Sequence, residues 1–315
     1  MAGQDFATVR RRVLELHAVG EYATALEVAR DAAAAFPGEA ARTTYWMACL
    51  HSLLGDVTRA LEALEEGSRR GLWWAPEQLE ADPDLESLRS DGRFRAIVDA
   101  GRLARASAAA LPPRNPIVRD PASGKPRAAL VVLHARGQRA EDVIEPWAAA
   151  EDALLVAPHS TQPFDPRDGC WDDAQRGEAD VRRAIDTVQA GAELADLPLV
   201  VGGFSQGGGL AVFLAARRRL SGVVGCIAMA PTASWARELV GPDASSFVGL
   251  RFALLMGTLD PRLNECRQLA DELSAGGAEV RLDVIGALGH DYPADFARRL
   301  SANLGWILDE PRSRA

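Results

Sequence analysis

The stretch Leu197-Pro-Leu-Val-Val-Gly-Gly-Phe-Ser205-Gln-Gly-Gly-Gly-Leu-Ala-Val-Phe-Leu214 decides the fold. The apolar, β-branched run Leu199 to Val201 predicts a buried strand. Leu210, Phe213 and Leu214 recur at helical spacing, so a helix comes next. Between them, Gly203-Phe-Ser-Gln-Gly207 is a G-x-S-x-G match. A strand that turns at once into a helix strains the backbone of the middle residue and lifts its side chain clear of the sheet. The flanking positions must be small because strand and helix nearly touch. The helix start also aims N–H groups and a positive dipole end at whatever Ser205 attacks. Ser205 is therefore the candidate nucleophile. A plain glycine-rich turn is the bland alternative, and the strand before and helix after it favour the nucleophile.

Downstream of Ala128 the chain alternates buried strands and helices. Strands are expected at Ala128 to His134, Ala153 to Pro158, Leu199 to Val201, Gly222 to Ala230, Arg251 to Gly257 and Val280 to Ile285. Helices are expected at Glu141 to Ala150, Glu178 to Leu194, after Ser205, at Pro261 to Ala275 and at Pro293 to Leu308. Such alternation with continuous apolar strands predicts an α/β fold: a mostly parallel sheet with helices on both faces. Reactive groups then gather at the carboxyl ends of strands. Ile117-Val118-Arg119 is expected as an edge strand in a hairpin with the next strand.

Three strand ends carry chemistry: Gly203 to Gly207, Met256-Gly-Thr-Leu-Asp260-Pro, and Ala287-Leu-Gly-His290-Asp-Tyr-Pro. A serine hydroxyl needs a base to take its proton. His290 suits that task near neutral pH. Asp260 would orient the imidazole and stabilise its charged form; it also reads as a helix cap ahead of Pro261. Asp291 adjoins His290 and, as a sequence neighbour, is set aside. The oxyanion needs two N–H donors, expected from the backbone of Gln206 and, in the loop Leu133-His-Ala-Arg-Gly-Gln138, of Arg136.

Residues 1–105 read as helix after helix. Gly20-Glu-Tyr-Ala-Thr-Ala-Leu is echoed by Gly55-Asp-Val-Thr-Arg-Ala-Leu, 35 positions later, close to the tetratricopeptide period of about 34. Gly20 and Gly55 are expected in inter-helix turns, and Ala25 and Ala60 where helices approach. Two repeats are fewer than such arrays need alone. The module is therefore expected to pack on the next domain or on another subunit, as a homo-oligomer or against a protein partner. Trp73 and Trp74 are expected as core or interface anchors. Residues 106–126 read as a proline-punctuated linker with the edge strand, and 127–315 as the catalytic domain.

The chain of 315 residues has a net charge of −9, which argues against nucleic acid or an anionic membrane as main partner. Cys49, Cys170, Cys226 and Cys266 are scattered and read as reduced thiols. Met1 to Arg12 has no apolar signal core, and no run is long enough to span a membrane. A cytoplasmic protein is expected.

Leu133-His-Ala-Arg-Gly, Ala157-Pro-His-Ser-Thr-Gln-Pro, Gly203-Phe-Ser-Gln-Gly-Gly, Gly257-Thr-Leu-Asp and Gly289-His-Asp-Tyr-Pro together resemble the phospholipase/carboxylesterase family of α/β-hydrolases, which includes acyl-protein thioesterase-like enzymes. The resemblance covers residues 115 to 308 and implies a Ser205, Asp260 and His290 triad with Arg136 and Gln206 as oxyanion donors. It implies hydrolysis of short to medium acyl esters or thioesters, with no metal or organic cofactor. Ala135 stands where the family usually has Gly, which implies an oxyanion hole that is tighter or that needs rearrangement. The helical module is outside the usual family pattern. Phe164 and Trp171, in the segment Pro158 to Gly177, are expected to form one wall of the substrate pocket and Trp235 another, with core or loop packing the equal alternative for each. A serine peptidase or amidase on the same triad, and an inert hydrolase domain that binds partners through the helical repeats, are the competing readings.

Overall fold

In the computed structural model, residues 5–108, 111–122, 124–189, 197–241 and 246–309 are described. Contacts divide the chain into two compact units: Met1–Ala110 with Pro163–Asp168, and Leu111–Gln162 with Gly169–Ala315.

The first unit is helical: α1 Phe6–Ala18, α2 Tyr22–Ala35, α3 Ala40–Leu53, α4 Val57–Arg69, α5 Pro76–Ala81 and α6 Gly92–Ser107. The α1–α2 and α3–α4 turns have the same construction. Gly20 and Gly55 both have φ +78°, a left-handed conformation open to glycine without a Cβ penalty. Around them, Gly20 N–H donates to His17 and Glu21 N–H to Leu16, while Gly55 donates to Ser52 and Asp56 to His51. Ala25 and Ala60 are fully buried. Trp74 anchors this core and donates from Nε1 to the Ala41 carbonyl at 2.8 Å. Gly67 makes room for it, since a Cβ there would lie 2.6 Å from the Trp74 ring. Trp73 is only partly buried. The helix α6 runs two residues into the expected linker; residues 109, 110 and 123 of that linker lie outside the described residues.

The second unit is built on a seven-stranded sheet, whose strands we number β1 Ile117–Arg119, β2 Ala128–Leu133, β3 Ala153–Ala157, β4 Leu199–Phe204, β5 Val223–Met229, β6 Arg251–Gly257 and β7 Glu279–Ile285. Their order is β1-β3-β2-β4-β5-β6-β7. All neighbours run parallel except the edge strand β1, antiparallel to β3. The expected hairpin of residues 117–119 with the next strand is therefore corrected. Both edges of β2 are taken, by β3 and β4, so β1 pairs instead with the outer edge of β3.

The connecting helices are α7 Ala140–Trp147, α8 Ala174–Gln189, α9 Gln206–Ala216, α10 Ala233–Val240, α11 Leu263–Ala275 and α12 Phe296–Leu308. Helix α8 starts a turn before Glu178, because Asp173 Oδ1 accepts the N–H groups of Gln175 and Arg176. Its expected end at Leu194 lies outside the described residues. Every residue of β2, β3 and β4 is buried, as a parallel sheet covered on both faces requires. The chain crosses from β3, on one side of β2, to β4 on the other. The order thus reverses between β2 and β4, and crevices form outside the carboxyl ends of strands at such a point.

Candidate active site

Ser205 stands where β4 becomes α9, with φ 54° and ψ −117°. It is one of four non-glycine residues with positive φ among those described. The conformation is unfavourable for an L-residue and is held from several sides. Ser205 N–H donates to the Met229 carbonyl, and its own carbonyl accepts from Gly209 and Thr232, each at 3.0 Å. Close backbone packing explains the flanking glycines. A Cβ on Gly203 would lie 2.6 Å from the Gly207 carbonyl carbon, and one on Gly207 2.6 Å from that of Leu133.

The structure brings Ser205, His290 and Asp260 together from three strand ends. His290 Nε2 lies 2.9 Å from Ser205 Oγ, and Nδ1 lies 2.6 Å from Asp260 Oδ2. Nδ1 must carry the proton, because a carboxylate only accepts. Nε2 is then the acceptor facing the hydroxyl. Asp260 is only 3% exposed. Its Oδ1 accepts the Arg262 N–H at 3.0 Å. The expected helix cap is corrected: α11 starts at Leu263 with Arg262 as its cap residue, so this bond closes the turn ahead of the helix, beside the contact to His290. Burial opposes charge on Asp260, but the Arg262 N–H and the His290 hydrogen bond outweigh it and hold the carboxyl below its usual range. Burial and the Arg262 guanidinium push His290 below its ordinary value, against the pull of Asp260. The imidazole is thus neutral, and able to accept a proton, at neutral pH. Asp291 is turned to its own neighbour, with Oδ1 accepting the Tyr292 N–H at 2.7 Å.

Aromatic rings back the imidazole. Phe204 lies 5.0 Å from the His290 ring and 4.7 Å from that of Tyr292. Trp147 Nε1 donates to the Tyr292 hydroxyl at 3.1 Å. Gly202 admits Trp147 against the sheet, where a Cβ would lie 2.6 Å from its ring.

The two expected oxyanion donors follow neighbouring strands, Arg136 after β2 and Gln206 after β4. Gln206 is the first residue of α9, so its N–H has no carbonyl one turn back to donate to. In the loop after β2, the Ala135 carbonyl accepts from His134 Nδ1 at 2.8 Å and from Gln138 N–H at 3.2 Å. A trans peptide points its N–H opposite to its carbonyl, so these bonds fix the direction of the Arg136 N–H. Burial drives His134 down to about 4, which keeps it neutral in this role. Alanine at position 135 needs no left-handed backbone. Ala135 is absent from the positive-φ residues, and the left-handed position of this loop is Gly137, at +70°.

The expected pocket walls are corrected in part. Trp171 has no exposed surface and donates from Nε1 to the His134 carbonyl at 2.8 Å; it is core. Phe164 is buried, 8% exposed, and falls with the helical unit. Trp235, on α10, is half-buried and rests against Gly209, 3.2 Å from where its Cβ would be. Two features near the site were not singled out from sequence: Asp172, whose carboxylate accepts from the Arg136 and Gln206 side chains, and the close backbone approach of Gly257 to Leu288. Among the described residues, one group of metal-ligating side chains comes together, Cys49, Asp82 and Asp84, in the helical unit.

A strand–serine–helix elbow at the centre of a parallel sheet, with later strand ends presenting an acid and a histidine, defines an α/β-hydrolase fold. Residues 6–109 match the family model described as "A/B hydrolase-like, N-terminal domain". Among curated proteins no significant match to this chain is found. Among solved structures, an uncharacterized protein from Bacillus cereus ATCC 10987 is similar at 23% identity and TM-score 0.48, covering 96% of this chain and 99% of that one. Zea mays acyl-protein thioesterase 2 is similar at 18% identity and TM-score 0.47, covering 62% and 99%. The Bacillus cereus carboxylesterase is similar at 18% identity and TM-score 0.48, covering 61% and 92%.

Proposed function

We propose that this protein is a serine hydrolase of the phospholipase/carboxylesterase type, cleaving short to medium acyl esters or thioesters through an acyl-enzyme. The observation that carries the reading is the continuous hydrogen-bond chain Asp260–His290–Ser205, ending on a serine in strained, left-handed backbone. Ser205 Oγ attacks the acyl carbon as His290 Nε2 takes its proton. Asp260 stays ionised and stabilises the imidazolium. The N–H groups of Gln206 and Arg136 receive the oxyanion. The C–O or C–S bond then breaks, and His290 returns the proton to the leaving alcohol or thiol. Water repeats the sequence on the acyl-enzyme and frees the acid.

Between Met229 and Arg251 the described residues hold one helix, α10, of eight residues. That supports a short cover and acyl groups of modest length, with Trp235 as one contact. No described helix is long and apolar enough to cross a membrane. All four cysteines are buried free thiols, which fits a reducing, cytoplasmic setting. Residues 1–105 act in this reading as a tetratricopeptide-like module for subunit or partner contact.

The test is turnover of p-nitrophenyl acetate and butyrate, compared with matched anilides, together with labelling by a fluorophosphonate. The expected result is ester turnover, label on Ser205 and little anilide cleavage. Faster anilide cleavage would point to an amidase, and absence of both turnover and label would overturn the reading.

A further inference from the structure

We propose that Asp172 is the positioning residue of the oxyanion site, clamping in one arrangement the two residues whose backbone N–H groups receive the oxyanion. The inference rests on the serine hydrolase reading and concerns the same site.

The carboxylate of Asp172 joins two loops that are distant along the chain. Arg136 donates to it as a fork, Nε to Oδ1 at 3.0 Å and a terminal nitrogen to Oδ2 at 2.9 Å. Gln206 Nε2 donates to the same Oδ1 at 2.7 Å. The other end of the Gln206 amide is held too, since its Oε1 accepts the Trp171 N–H at 2.8 Å. The amide thus has one sensible orientation: oxygen toward an N–H, nitrogen toward a carboxylate.

The segment carrying Asp172 is itself tied to the loop after β2. Gly137 N–H donates to the Gly169 carbonyl at 2.9 Å, and Gly169 N–H to Gln138 at 3.0 Å. Trp171 Nε1 reaches the His134 carbonyl. One short stretch, Gly169 to Asp172, therefore grips both halves of the oxyanion site, and its one charged group lies between the side chains of the two donors. Arg136 and Asp172 are about one third exposed. A surface ion pair alone contributes little to folding, so the clamp is expected to act on geometry more than on stability. Donors must sit within a few tenths of an ångström of the developing charge to be effective.

The adjacent Asp173 has the same chemistry and a different task, capping α8. It is the natural control.

The experiment measures kcat per active site, titrated with fluorophosphonate, and KM for a short p-nitrophenyl ester in Asp172→Ala, Asp172→Asn and Asp172→Glu. The expected result for D172A is a fall in kcat of about 10- to 100-fold, with KM within threefold and a parallel loss in the rate of phosphonate labelling. D172E should recover part of the rate. Combining D172A with Arg136→Met should cost no more than the worse single change, because both open one clamp. A purely structural role would lower the melting temperature and the titrated fraction while leaving kcat per titrated site unchanged; that outcome, or D172A within twofold of wild type, overturns the proposal. If D172A does not fold, D172N and R136M carry the same criteria. Should the wild-type enzyme neither label nor turn over ester, the serine hydrolase reading fails first; should it do both while D172A matches it, only the clamp fails.

Discussion

Gly257, at the end of β6, packs backbone to backbone against Leu288, two residues before His290: a Cβ on Gly257 would lie 2.6 Å from the Leu288 carbonyl carbon. Leu259 N–H donates to the Leu288 carbonyl at 2.9 Å, and Thr258 Oγ1 accepts the Ala287 N–H at 2.9 Å. These bonds join the loop of Asp260 to the loop of His290. Gly257→Ala must push the two loops apart. Its expected effect is a loss of about 100-fold or more in kcat/KM with about 1–3 kcal/mol of stability lost to overpacking. Ester kinetics alongside thermal melting measure both.

Ser205→Ala removes the attacking oxygen and should cost several orders of magnitude in kcat. Ser205→Gly should be equally inactive yet more stable than S205A by about 1 kcal/mol, because glycine adopts the φ of 54° with little strain. Urea titration of the two variants checks this. Equal stability would mean that the elbow stores no backbone strain.

Activity should fall in acid as His290 gains a proton. Burial and Arg262 hold its pKa below the ordinary 6.5, so the acid limb of kcat/KM is expected below that pH. Arg262→Gln removes a repelling cation and should move the limb toward higher pH. A profile unchanged by the substitution would separate Arg262 from the base.

Stability should also fall in acid, through His134. Its pKa is about 4 when folded, lowered by burial, against an ordinary value of 6.5. The unfolded chain takes up a proton first as the pH drops, so the contribution is fully present above pH 6.5 and lost as pH falls from 6.5 toward 4. The loss amounts to about 3 kcal/mol for a shift of this size. Melting temperatures across that range, compared with His134→Gln, measure it; the variant should show a shallower acid decline.

Much of this site can be read along the chain. The pattern Gly203-Phe-Ser-Gln-Gly207 has a local cause, since a strand meeting a helix in one residue needs small neighbours. Asp260 comes after the apolar run Phe252 to Met256 and His290 after the alternating run Val280 to Ile285, both strand patterns, so their place at strand ends came from hydrophobic pattern and order. The turns at Gly20 and Gly55 were legible for the same reason, because a short-range backbone demand selects glycine. The errors fell where contacts are long-range. Trp171 was left open between pocket wall and core because an aromatic residue in a long loop reads the same whether buried or exposed. The edge strand at residues 117–119 was given the wrong neighbour because pairing depends on which strand has a free edge.

Asp172 and Asp173 show most plainly where the two sources of information part. Side by side and chemically identical, they are equivalent in the sequence. One caps the helix after it, and the other meets Arg136 and Gln206, 36 and 34 residues away. Local chemistry along the chain determined the candidate nucleophile, the elbow around it, the parallel sheet and the order of the candidate acid and base, because hydrophobic period and backbone strain act over a few residues. Only the tertiary structure decided which carboxylate meets Arg136 and Gln206, which glycine lets the loop of Asp260 approach that of His290 and which tryptophan is core, because those depend on where distant segments come within van der Waals reach.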